Sequence, residues 1–138
     1  MPDLLARTAL AAAAAIIVNV LVRALAIALF DIPGAFEHLA LRAVIVSTLI
    51  GVLAAAAVYA LIARRARDPV RTFTIVAAVA LVLSLAAPLS VGLQDPPEYP
   101  GTDAASVGTL MLMHVTTAAI VVATFSRARG SRRSPRSR

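Results

Sequence analysis

Two side chains in this chain sit in surroundings that do not suit them: Arg23, inside the apolar run 8–30, and His114, inside the apolar run 105–125. A guanidinium at the centre of a membrane-spanning helix costs about 2.5–3.5 kcal/mol. It therefore needs an anion, a polar cavity or a route to the interface. At roughly 1.5 Å per helical residue, Arg23 lies about 12 Å from Asp31, where its run ends. An extended Arg can cover much of that distance toward Asp31, Glu37 or a lipid phosphate. The other arrangement is a cation lining a cavity between helices. Asn19 precedes Arg23 by one helical turn and shares its face. By the same count His114 lies about 13 Å down its own run, at nearly the depth of Arg23, with Thr117 one turn further along. Ser47 and Thr48 in run 43–63, and Ser84 in run 72–93, bring hydroxyls to the same half. Pro88 leaves the Ser84 carbonyl without its helical donor. Asn19, Arg23, Ser84 and His114 thus form the candidate polar cluster, with Arg23 and His114 expected to face one interior space. Such a cluster can bind a polar or anionic solute, or can simply hydrogen-bond the helices to one another.

Other chemistry lacks its residues. The chain has no Cys, which removes disulfides, thiolate catalysis and Cys-ligated metals. His38 and His114 are its two His, too few for a three-His metal site. Only His114 lies in an apolar run, so a bis-His haem lacks its second ligand. No run contains Asp or Glu, which leaves no carboxylate for proton coupling. No nucleophile–base pair, phosphate loop or metal motif is present. The expectation is a protein without cofactor or metal, and not an enzyme.

The elements that must position the cluster follow from composition. The chain is 60% hydrophobic and 14% charged, too little charge to cover a soluble domain. The apolar excess falls in runs 8–30, 43–63, 72–93 and 105–125, each long enough for the roughly 20 helical residues that cross a bilayer. This predicts an all-α, integral membrane four-helix bundle. All 13 basic residues are Arg. Arg7 precedes the first run, Arg64, Arg65, Arg67 and Arg71 separate the second and third, and Arg127, Arg129, Arg132, Arg133, Arg136 and Arg138 follow the fourth. Arg42 stands at the opposite end. The positive-inside rule then puts both termini and the middle loop in the cytoplasm, with the chain in the cytoplasmic membrane. Residues 1–28 also read as a signal peptide with Ala24-Leu25-Ala26 before the cut, against which Arg23 and Asp3 argue.

The loop 31–42 opens on a turn and is expected to continue as a short interfacial helix, with Phe36 and Leu39 toward lipid. The Pro-rich loop 94–104 reads as extended, with Tyr99 at headgroup level. The tail 126–138, made of Arg, Ser, Gly and Pro, reads as disordered and as an anchor to anionic lipid rather than a nucleic-acid module. Small residues recur every four positions: Ala11, Ala15 and Asn19; Ser47, Gly51 and Ala55; Ala80, Ser84 and Pro88. Such stripes let helix backbones approach closely.

The segments Arg67-Asp-Pro-Val-Arg71, Ser84-Leu-Ala-Ala-Pro-Leu89 and Met113-His114 resemble a family of small bacterial and archaeal membrane proteins catalogued as a domain of unknown function. The resemblance covers nearly the whole chain. It implies the four-helix architecture and a part for Ser84, Pro88 and His114, but no activity. The sequence therefore predicts an interaction or accessory protein of the membrane, packing on itself or on a larger complex. The alternative is a carrier or binding protein for a polar or anionic solute held by the intramembrane cluster.

Overall fold

A computed structural model describes residues 2–30, 32, 37–93 and 102–127. Its elements are α1 (Pro2–Phe30), a 3-10 turn (Glu37–Leu39), α2 (Leu41–Arg65), α3 (Pro69–Leu93) and α4 (Ala104–Ser126). All four helices are long and apolar enough to cross a membrane. The protein is an all-α, integral membrane four-helix bundle.

The helices start where local chemistry allows. Asp68 precedes Pro69, and its Oδ1 accepts the Arg71 amide at 3.3 Å. Proline at the first helical position loses no bond, because that amide has no intrahelical partner. The Asp-Pro pair thus starts α3 three residues before the apolar run begins. Asp103 does the same for α4, accepting the Ser106 amide at 2.6 Å. Those hydrogen bonds from Ser106, side chain and amide alike, hold the Asp103 carboxyl below its usual pKa. Between α2 and α3 only Ala66–Asp68 intervene, so these helices are antiparallel neighbours in sequence.

Around the bundle, α1 packs closely on α2 and α4, and α3 packs closely on α4. Contact between α2 and α3 is much sparser, which leaves the ring open along that seam. The interior is layered. At the arginine-rich end lie Ala11, Ala15, Val52, Ala56, Phe73, Val121 and Phe125. There Tyr59 stacks on Phe125 at 5.0 Å and meets Phe73 edge-on at 5.2 Å. At the other end Ala26, Ile32, Leu39, Val44 and Met113 form a second apolar layer. Outward-facing leucines and valines, among them Leu21, Leu25, Leu53, Val82 and Leu83, cover the lipid side.

Leu39 corrects one expectation. It does not face lipid: it is 3% exposed and belongs to the second core layer. The turn Glu37–Leu39 is too short to be an amphipathic interfacial helix, and its last residue folds inward over α1 and α4. Phe36, Tyr99, most of the loop 94–104 and the tail beyond Arg127 lie outside the described residues.

Candidate functional site

Between the two apolar layers lies a polar one, centred on Asn19. Its side chain is 2% exposed. Nδ2 donates to Thr48 Oγ1 on α2 at 2.9 Å and to Thr117 Oγ1 on α4 at 2.9 Å. Thr116 Oγ1 donates back to Oδ1 at 2.8 Å. Both amide hydrogens and the carbonyl are thereby used. A fully satisfied amide is what a buried Asn in a bundle requires, since an unpaired one would leave polar atoms in hydrocarbon. The Ala11-Ala15-Asn19 stripe is the face of α1 that enters the core, and it brings α2 and α4 close enough for these bonds.

The stripe on α2 behaves differently. Ser47, Gly51 and Ala55 do not pack into α3. They form one wall of a cavity of about 350 Å³, faced by Ala77, Ala80, Leu81 and Ser84 on α3. Leu110, Met113, His114, Thr117, Ala118 and Val121 of α4 supply the third wall, and Asn19 with Thr48 reaches it from α1 and α2. A Cβ added to Gly51 would meet nothing within 4 Å. Two facing rows of small residues therefore produce a cleft, because the sparse α2–α3 contact never brings them together. The cavity lies along the middle of the helices, and its walls are chiefly apolar.

His114 is its most reactive group. Nδ1 lies 2.7 Å from the Leu110 carbonyl. A carbonyl can only accept, so Nδ1 carries the hydrogen, and in the neutral ring Nε2 keeps its lone pair. Nε2 makes no hydrogen bond among the described residues. Ser84 Oγ donates to Leu81 O at 2.8 Å, and Ser47 Oγ to Val44 O at 3.3 Å. Both seryl hydroxyls are thus turned back on their own helices but keep acceptor lone pairs.

Of the candidate cluster, Asn19, Ser84 and His114 line this one cavity. Arg23 is not among its walls. Its Nε donates to the Leu39 carbonyl at 2.5 Å, which ties α1 to the turn before α2. The cation is thus drawn toward the end of the helix, to a backbone acceptor rather than to Glu37. Sequence reasoning had no means of choosing that carbonyl. It also missed Thr116, whose adjacency to Thr117 was the available signal: consecutive threonines at the depth of a buried Asn can address its two ends.

No curated protein and no solved structure is similar to the chain. Over nearly its whole length the sequence fits one family model, covering residues 1–131, and the chain belongs to that family of unknown function, DUF6069.

Proposed function

We propose that the protein is a binding protein embedded in the cytoplasmic membrane, not an enzyme, and that it holds a small lipophilic molecule in the α2–α3–α4 cleft. The observation that carries this reading is the cleft itself. At about 350 Å³ it sits at the lower end of the roughly 300–1,000 Å³ common for small-molecule pockets. Its walls are mainly apolar, with a few polar groups converging at His114, Ser84 and Thr117. The open α2–α3 seam faces the surrounding lipid, so the natural route of entry is lateral. Arg23 is occupied at the Leu39 carbonyl, which favours a neutral ligand over an anionic solute.

The orientation proposed is a multi-pass one with both termini in the cytoplasm. It is supported by Arg7, Arg64, Arg65, Arg67, Arg71 and Arg127, which all belong to one end of the bundle. The test of function is purification in mild detergent followed by mass spectrometry of the small molecules that co-elute. A neutral lipophile should accompany the wild-type protein and be lost from Gly51→Leu, whose side chain intrudes into the cleft. An identical complement on both proteins would refute the reading.

A second reading, an accessory protein that packs on itself or on a larger membrane complex, rests on a different place. Gly108 of α4 is exposed beside a groove formed with Leu25, Ala26 and Leu29 of α1, and a Cβ there would meet nothing within 4 Å. Small residues at such a surface permit close helix approach. Gly108→Cys should then yield a specific intermolecular crosslink in native membranes.

A further inference from the structure

Taking the cleft as a binding site, we infer that its ligand is a lipophilic alcohol, a neutral molecule with an apolar body and one hydroxyl that lies between His114 and Thr117. None of the cavity walls carries a formal charge. An ionised headgroup drawn into that space would lose its hydration without a counter-charge, a cost of many kcal/mol. Phosphate-bearing heads, which keep their charge, are thereby disfavoured, and a fatty acid would enter only as its neutral carboxylic acid.

Among the polar groups, Asn19 has given both amide hydrogens to Thr48 and Thr117, and its carbonyl accepts from Thr116. Ser47 and Ser84 have given their hydrogens to Val44 and Leu81. Thr48 Oγ1 accepts from Asn19, and Ser47 and Ser84 keep acceptor lone pairs, but these stand on α2 and α3. On one face of α4 two further capacities remain. The His114 Nε2 lone pair lacks a donor, because the ring's hydrogen is committed through Nδ1 to Leu110. The Thr117 oxygen accepts from Asn19, and its own hydrogen meets no acceptor among the described residues. His114 and Thr117 are three residues apart on one helix face, with Cβ atoms about 5–6 Å apart. A single oxygen roughly 2.8 Å from each requires Nε2 and Oγ1 to lie within about 5.6 Å of one another, a separation that side chains one turn apart on one face can reach.

The oxygen must donate to an imidazole nitrogen and accept from a threonine. A hydroxyl does both. A ketone, quinone or ether only accepts, and leaves Nε2 unpaired. The discrimination is the kind in which a missing hydroxyl costs most, since a desolvated protein acceptor is left without its donor.

The test uses the full-length protein in nanodiscs, labelled with a diazirine-bearing tetradecanol. Competition by tetradecanol is compared with competition by its methyl ether at equal mole fraction in the bilayer. Tetradecanol should compete about five- to tenfold better on the wild-type protein. His114→Phe should erase that preference while ether competition persists, Thr117→Val should reduce it, and Gly51→Leu should abolish labelling. Equal competition by alcohol and ether on the wild type overturns the hydroxyl assignment and leaves the cleft as a site. So does a preference that survives both His114→Phe and Thr117→Val. Labelling that Gly51→Leu does not diminish overturns the cleft as a site, and this inference with it.

Discussion

Replacing Asn19 with Leu should destabilise the bundle even though Leu is the more lipophilic residue. The substitution removes three interhelical hydrogen bonds, to Thr48, Thr116 and Thr117. In bilayers such bonds average about 0.6 kcal/mol each, so the loss comes to about 2 kcal/mol. Two effects reduce it. The freed threonines can donate to carbonyls one turn back on their own helices, as Thr109 already does to Ala105 at 2.7 Å. Leu also fills much of the volume that Asn leaves. The expected net cost is about 1–2 kcal/mol. The assay is equilibrium unfolding in mixed micelles of mild and denaturing detergent, followed by far-UV circular dichroism. A double-mutant cycle with Thr48→Val separates the Asn19–Thr48 bond from cavity effects, and the paired variant should lose less than the sum of the singles. If Asn19→Leu is as stable as the wild type and the cycle is additive, the polar layer does not hold α1 in place and the reasoning fails.

The remaining predictions concern other elements. Gly51→Ala should stabilise the protein by about 0.5–1 kcal/mol through helix propensity, since its Cβ meets open space. Gly92→Ala should forgo that gain, because its Cβ would lie 3.0 Å from Val107 Cγ2, and thermal unfolding of the two variants checks the contrast. Arg23→Met removes a charged donor from the Leu39 carbonyl, worth about 1.5–3 kcal/mol, and should speed amide exchange at Ala40 tenfold or more. The Asp103 carboxyl is held below its ordinary pKa by Ser106, so its cap contributes fully above about pH 4 and is lost as pH falls through the lower folded value. Asp103→Asn keeps a capping side chain and should flatten the pH dependence of exchange at Ser106. For orientation, a Cys at Glu37 should react with an impermeant thiol reagent in intact cells and a Cys at Arg67 should not.

The four helices were legible because an apolar run long enough to span a bilayer has few other uses. Their starts were less so. The apolar run suggested that α3 begins at Thr72, whereas the Asp68–Pro69 cap moves the start to Pro69. The cap was written in the sequence, but hydropathy does not weigh it. The polar depth was legible too, since Asn19, Thr48, Thr117, Ser84 and His114 fall at matching heights. What could not be read was which helix faces which. A small-residue stripe says only that a face can approach a neighbour. The structure closes the Ala11-Ala15-Asn19 face against α2 and α4 and leaves the Ser47-Gly51-Ala55 face open. Leu39 was misplaced for the same reason: a loop's apolar residue has two sides to choose from, and only the fold says which is the core.

The sparse α2–α3 seam also gives the molecule one mechanically soft direction. Separating α1 from its neighbours breaks the hydrogen bonds of Asn19, whereas the hydroxyls of Thr74, Ser84 and Ser90 on α3 bond to α3 itself. Among the described residues no side-chain hydrogen bond joins α3 to α2, so swinging the two apart costs chiefly dispersion contacts. Phe73, wedged between Tyr59 and Phe125, pins one end and acts as the pivot. Toward the far end the helix contains Pro88, which removes a backbone bond and lowers its bending stiffness. Displacement grows with distance from the pivot, so the width of the gap couples to the lateral pressure profile of the bilayer. On that geometry, lipids that crowd the leaflet farthest from Phe73 would squeeze it shut, and lipids that relieve that crowding would let it widen.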